Sequence, residues 1–375
     1  MKFKLFILIL CSTFFLCSCW DQRLLKESKL VYSASYDLES DNELLVTSVI
    51  KTSTQKSTGP TQSETTNVIF QTKAKTLSDA RMKFTRKISG DYATNKNRVL
   101  LLGNDLAKQD IYPIFDIIYR DPRSSLGAKV IISKGRADEI LKLNKVEETL
   151  ISEEILNLIN TGESHTIVPI ESVQTVCTTI FDPGEDVVLP LVEKNEDNSL
   201  NISGVALFDG HKYTGKNLLD SDPTMLLLLK NEMQKFARFT LEVNPKEKDI
   251  RERFVAIQVK KSKSKMNVKI SKDNKITVNL NMKMKVDTLE YPKDELAEQK
   301  EINFLNKELS KLLTLKAEDV IQTLQKANCD AFAIGRELIS YHPKVWKKLD
   351  WNKDYAKVTI KPKVEVEVIG TGIIK

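Results

Sequence analysis

The chain has 375 residues, of which 41% are hydrophobic and 29% charged, and its formal net charge is +6. That composition excludes a disordered chain, and the length leaves room for two or three domains. The positive balance is too mild for a nucleic-acid partner; it suits plain solvation and an anionic lipid surface equally.

Residues 1–18 read as an export signal. Lys2 and Lys4 form a short basic start, residues 5–16 are apolar and uncharged, and Ser18 is a small residue before Cys19. The apolar run is short for a membrane span. A lipoprotein signal needs a small residue just before the cysteine and an aliphatic one three places before it. Ser18 and Leu16 meet this for Cys19, whereas Cys17 and Cys11 each follow a bulky leucine. Cleavage between Ser18 and Cys19 is therefore expected, with an S-diacylglycerol and an N-acyl group on Cys19. Two or more acyl chains make such an attachment lasting. The competing reading is an uncleaved N-terminal anchor. Both place the remaining chain outside the cytoplasm, against a membrane. After cleavage only Cys177 and Cys329 remain. One disulfide or two lone buried thiols both fit, and the apolar contexts favour lone thiols.

In chain order, residues 21–29 read as a charged lead-in or helix. Residues 30–36 and 44–51 alternate as strands around a turn at 37–42. The Ser/Thr-rich stretch 52–66 reads as an exposed loop, and 68–74 as a strand. Leu77, Ala80, Phe84 and Ile88 step at helical spacing, with Thr76 or Ser78 as cap. Residues 98–102 and 129–133 are short buried-type strands. Residues 105–119 read as a helix interrupted at Pro113, with further helices at 137–143 and 152–160. A turn at 182–185 leads to a strand at 187–192, and 193–200 reads as a boundary linker.

The second half changes character. Strands are expected at 202–208 and from Tyr213, and a short helix at 223–229. Alternating runs at 254–259, 266–270 and 276–286 read as an antiparallel meander with one apolar and one lysine-rich face. Residues 260–265 then form a solvated hairpin tip and 271–275 the next turn. The stripe Ile302, Leu305, Leu309, Leu313, Ala317, Val320 and Leu324 marks a long helix lying across the sheet. A shorter helix at 330–341 and a closing strand at 357–369 follow. The expected class is α+β: a mixed-sheet region at 19–199, as one unit or two subdomains, then 200–375 as an antiparallel sheet with a long helix on one face.

Catalytic patterns are lacking. His165, His211 and His342 sit in separate segments without metal-ligand spacing, and no nucleophile elbow, P-loop or dinucleotide fingerprint occurs. Asp182, Glu185 and Asp186 read as turn residues. Gly370 and Gly372 read as a strand end. Trp346 and Trp351 flank two lysines and read as half-buried packing more than as a membrane-interface anchor. No catalytic, metal or cofactor residue is expected.

Further residues carry a resemblance. Cys19-Trp20-Asp21-Gln22-Arg23 resembles the C-W-D-x-R start of the mature Ger(x)C family, the lipoprotein subunits of spore nutrient germinant receptors. Residues 187–190 resemble its V-L-P segment and residues 202–208 its I-S-G-x-A-x-F segment. Asp330 to Gly335 resembles its D-x-F-G-x-G helix entry, and Pro343 to Trp346 with the last strand fits its ending. Leu24 stands where the pattern commonly has Glu, and Ala333 where it usually has Gly. The resemblance implies three mixed α/β domains and a non-enzymatic subunit, held by Cys19 on the outer face of the spore inner membrane. It implies two integral membrane partners, one multi-spanning with a large soluble part and one transporter-like, in a complex whose nutrient sensing leads to ion and dipicolinate release. A lipid-anchored solute-binding protein is the alternative and would need two similar lobes about a hinge. An exported cell-wall enzyme would need His211, His342 and a carboxylate in one pocket.

Overall fold

The computed structural model describes residues 28–40, 42–55, 63–146, 149–293 and 296–371. The export signal, Ser18, Cys19 and most of the charged lead-in lie outside them. Among the described residues two large sheets dominate.

The first sheet has a parallel centre. Strands β1 (Ser28–Leu38), β5 (Val99–Leu102), β6 (Lys129–Ser133) and β9 (Val188–Lys194) lie side by side and parallel. The short β4 (Asp91–Ala93) runs parallel to the start of β1. An antiparallel hairpin flanks each side: β2 (Leu44–Gln55) with β3 (Ser63–Ala74) beyond β1, and β10 (Leu200–Asp209) with β11 (Lys212–Leu218) beyond β9. Every residue of β5 is buried because helices cover both faces. Leu100 and Leu102 face the cluster of Phe84, Phe115, Val176 and Cys177; Val99 and Leu101 face that of Ile140, Ile151, Ile155 and Ile159. Those residues come from α1 (Leu77–Lys87), α3 (Tyr112–Arg120) and α6 (Val173–Ile180) on one side, and α4 (Ala137–Leu141) and α5 (Ile151–Ser164) on the other.

Local chemistry sets several of these ends. Thr76 caps α1 by accepting from the Asp79 N–H. The expected helix at 105–119 is two, α2 (Asn104–Ala107) and α3, because Pro113 starts a helix more readily than it continues one. The expected loop at 52–66 is partly ladder, since β2 and β3 pair as far as Gln55 opposite Ser63. Residues 193–200 are no free linker. Asn195 and Ser199 close a tight hairpin that keeps β10 in the first sheet. A small pair, β7 (Lys145–Val146) and β8 (Thr149–Leu150), precedes α5.

The second sheet runs β12 (Arg238–Glu242), β13 (Phe254–Ile270), β14 (Ile276–Glu290), β15 (Thr359–Gly370). Residues 260–265 are not a hairpin tip; β13 passes straight through them. The inward residues change from odd numbers (Val255, Ile257, Val259) to even ones beyond it, and a bulge between Val259 and Lys261 absorbs the change. The first three strands are antiparallel, as expected, whereas β15 lies parallel to β14. Helix α8 (Gln299–Lys326) provides the crossover that a parallel pair requires. Leu305, Leu309, Leu313, Ala317, Val320 and Leu324 bury its apolar stripe on the sheet. Helix α7 (Asp222–Leu229) and the outer side of β10, through Val205 and Leu207, join the same core. Strand β10 therefore faces both cores, because Ala206 and Phe208 belong to the other one. The halves are thus dissimilar in build, and the two like lobes that solute binding about a hinge would need are not what they form.

Helix α8 also covers the free edge of β15. The Val364, Val366 and Val368 N–H groups donate to Thr314 Oγ1, Ser310 Oγ and Asn306 Oδ1 at 3.1, 2.9 and 2.7 Å. Replacing Asn306 with Ala leaves the Val368 N–H without its partner. Asn306→Ala should lower the unfolding free energy by about 1–3 kcal/mol, whereas Lys307→Ala on the exposed side should change it by no more than about 0.5 kcal/mol. Urea denaturation of both variants measures the contrast; equal values would refute the role of the edge contact.

Candidate functional site: the cleft at the junction of the two cores

The turn before β9 meets the segment after α8 here. Asp186 Oδ1 accepts the Gly210 N–H at 2.8 Å and Oδ2 the Asp330 N–H at 2.7 Å, and the Asp186 N–H donates to the Asp330 carbonyl at 3.1 Å. Asp330 in turn accepts from Ile334 N (3.0 Å), Gly335 N (2.8 Å) and Trp351 Nε1 (3.1 Å). It thereby satisfies the first two N–H groups of helix α9 (Ile334–Tyr341), whose cap position is Ala333, and fixes Trp351. The Arg336 N–H donates to the Gly184 carbonyl, and the Arg336 guanidinium lies 3.1 Å from Glu185, close enough to pair although its Nε–H is not aligned for a hydrogen bond.

Two glycines allow this contact. A Cβ on Gly335 would fall 2.6 Å from the Gly184 Cα, and one on Gly184 would fall 2.7 Å from the Arg336 nitrogen. Gly184 also has φ +94. Ala333 has φ 57 and ψ 36, the left-handed region that disfavours any side chain. This is why a Gly suits that place in the D-x-F-G-x-G pattern.

An open cleft of about 530 Å³ lies over the junction. One wall holds Tyr112, Phe181 and His211, with ring centroids 5.2 and 5.3 Å from Tyr112. The other holds Trp346, Trp351 and Tyr355, spaced 5.5 and 5.7 Å. Both tryptophans are half-buried, as the packing reading expected. The floor is acidic, with Glu185, Asp186 and Asp209. Burial pushes the Asp330 carboxyl up to about 7 and the Asp186 carboxyl up to about 6, outweighing their N–H donors; the Asp186 charge adds to the rise at Asp330, and the Asp209 and Glu185 charges add to the rise at Asp186. Cys329 is fully buried and its thiol is pushed far up. Cys177 is also buried, its thiol pushed up to about 12; both cysteines are unbonded and lack reactive character.

Ser18 and Cys19 lie outside the described residues. His211 lines the cleft, its ring Nε2 3.0 Å from the Ile180 carbonyl. His165 bonds within α5, and His342 ends α9 away from the cleft lining. Among the described residues no cluster could hold a metal, and no helix is long and apolar enough to cross a membrane. The two central carboxylates accept backbone N–H groups and so tie the turn before β9, Gly210 and the start of α9 together. The reading of Asp186 as a plain turn residue missed its partner. The signal was Asp330 opening a helix-entry motif, which needed an acceptor at both ends.

Two family models cover nearly the whole chain. The spore germination protein N-terminal domain matches residues 21–194, and the spore germination B3/GerAC-like C-terminal domain matches 203–372. The chain belongs to the Ger(x)C family of spore germination proteins. It is 24% identical to spore germination protein GerQC of Bacillus cereus over 371 residues, 99% of each chain. It is 22% identical to spore germination protein KC of Bacillus subtilis, covering 99% of this chain and 96% of that one. The crystal structure of the GerBC protein matches with a TM-score of 0.54 at 17% identity, covering 90% of this chain and 97% of that chain. The Ger(x)C fold is thus shared at low identity.

The junction generates two predictions. Ala333→Gly relieves the left-handed strain and should raise the unfolding free energy by about 0.5–1 kcal/mol, while Gly335→Ala should lower it by about 1–3 kcal/mol; chemical denaturation reads both signs. The second concerns pH. The Asp330 carboxyl has an ordinary value of 3.8 and is raised to about 7 in the fold, so its contribution is fully present below pH about 4 and is lost as pH rises through about 7. The parent should lose more stability between pH 5 and 7.5 than Asp330→Asn does, by up to about 3 kcal/mol. Parallel profiles would show that the Asp330 proton is not involved.

Proposed function

We propose that this chain is a lipid-anchored, non-enzymatic subunit of a spore nutrient germinant receptor. The observation that carries the reading is the match of both family models, in order, over residues 21–194 and 203–372, with relatives named as spore germination proteins aligned from end to end. The lipid attachment rests on Ser18, Cys19 and the C-W-D-x-R start. Cys19 would carry the S-diacylglycerol and N-acyl groups and hold the body on the outer face of the spore inner membrane. Two integral membrane subunits are the proposed partners. A role in assembly or signalling, without catalysis, is supported by a cleft whose Asp186 is engaged by backbone donors and whose Glu185 lies beside Arg336.

The test is Cys19→Ala in the sporulating host, with membrane fractionation and nutrient-triggered germination followed together. Release of the protein from the membrane fraction and slowed germination with the cognate nutrient is the expected result. A variant that stays bound in spores that germinate normally would remove the anchor from the proposal. Loss of uptake of one solute in growing cells, with germination intact, would replace the receptor role by solute binding.

A further inference from the structure

The second sheet has one covered face and one open face. Helix α8 covers the inner face, and its side chains also occupy the β15 edge. The outer face carries an array of lysines. Strand β13 contributes Lys261, Lys263, Lys265 and Lys269, all exposed. Strand β14 adds Lys283 and Lys285, and β15 adds Lys361 and Lys363, again exposed. The register sets Lys261 beside Lys285, Lys263 beside Lys283, and Asn281 between Lys265 and Lys363.

Carboxylates balance little of this. Glu365 lies between Lys283 and Lys363 at 3.3 and 2.8 Å, and Glu367 lies 3.1 Å from Lys285. Asp287 is taken by Lys260 at 3.1 Å. Eight outward lysines against two glutamates leave a surplus of six, as large as the net charge of the whole chain, +6. Like charges set directly opposite on neighbouring strands destabilise a sheet. Folding alone therefore gives no reason for Lys261 to face Lys285, or Lys263 to face Lys283.

The lysine rows enclose two shallow grooves of about 350 and 400 Å³. Lys261, Lys263, Lys283 and Lys285 line the first together with Glu365 and Glu367; Lys263, Lys265, Lys283 and Lys363 line the second together with Glu365. We propose that this face docks on an anionic phospholipid surface, with headgroup phosphates seated among the lysines. Charge complementarity is the reason for a lipid occupant. The array is broad and made of lysine, whose hydrated ammonium acts as a point charge and does not need the planar partner that Arg selects. Its centre has no aromatic or apolar anchor, whereas protein interfaces are poor in Lys and centre on such anchors. Exposed Leu289 and Ile369 lie at the end of the face, where apolar side chains can reach the headgroup level.

The test uses the chain from residue 19 with Cys19→Ser, which keeps every described element and carries no acyl chain, so its result is independent of the lipid anchor. It is sedimented with vesicles of phosphatidylcholine, alone or mixed with phosphatidylglycerol. Binding to the mixed vesicles only, weakened by added salt, is expected. The triple variant Lys261→Gln, Lys263→Gln, Lys265→Gln should weaken it roughly a hundredfold. A triple change at Lys96, Lys108 and Lys212 should leave it unaltered, with circular dichroism confirming the fold of each. No binding to anionic vesicles, equal binding to neutral ones, or an unaffected sheet variant would overturn the proposal. Capture of an acidic protein by this face without vesicle binding would overturn it too, and would give the face to a protein partner.

Discussion

At the junction of the two cores, the pair of Asp186 and Asp330 ties the turn before β9, the turn after β10 and the segment after α8 to one point. Each carboxylate accepts backbone N–H groups, and the Asp186 N–H also donates to the Asp330 carbonyl. A buried acid without such donors would be strongly unfavourable. With them, each acid ties separate chain segments to one point. Asp186 holds the turn at Gly210, and Asp330 holds the start of α9 and the indole of Trp351. The close approach of Gly184 and Gly335 follows from this geometry, since a side chain at either would force the segments apart.

A second acid does similar work in the first sheet. Asp37 ends β1, and its two oxygens accept the N–H groups of Ala137 and Asp138, at 2.7 and 2.9 Å, at the start of α4. A Cβ on Gly103 would meet the Asp37 carboxylate at 2.1 Å, so a glycine is needed beside it. In both places a carboxylate at a helix start accepts from N–H groups that the helix itself cannot satisfy. The sequence offered no local sign of either pairing, because Asp37 and Ala137 are a hundred residues apart and Asp186 and Asp330 further still.

What was legible follows from interaction range. The buried strands at 99–102 and 129–133, the capped helix at 77–87 and the stripe of α8 depend on neighbours within a few residues, and these appeared as expected. The through-going β13 did not, because two alternating runs of opposite phase look like two strands unless a bulge joins them. The parallel setting of β15 was also hidden, since alternation reports which face a residue takes and not the direction of the neighbouring strand. For the candidate site, the helix-entry motif and the half-buried tryptophans were readable. The acidic floor and the partner of Asp330 were not, being products of long-range pairing.

The β15 edge shows why the parallel setting and the long helix belong together. A strand at a sheet edge exposes N–H groups that invite another chain. Asn306, Ser310 and Thr314 step by four residues along α8, about 6 Å each. Val364, Val366 and Val368 step by two along β15, about 6.6 Å each. The two repeats nearly coincide, so one polar row of the helix meets one row of strand donors. Ser310 and Thr314 remain satisfied while accepting these bonds, because each hydroxyl also donates to the carbonyl four residues back. An antiparallel β15 would not have required a crossover this long, and without the crossover nothing would lie along that edge. The helix that buries the inner face of the sheet therefore also closes its edge, leaving the broad outer face as the surface on which this sheet meets its surroundings.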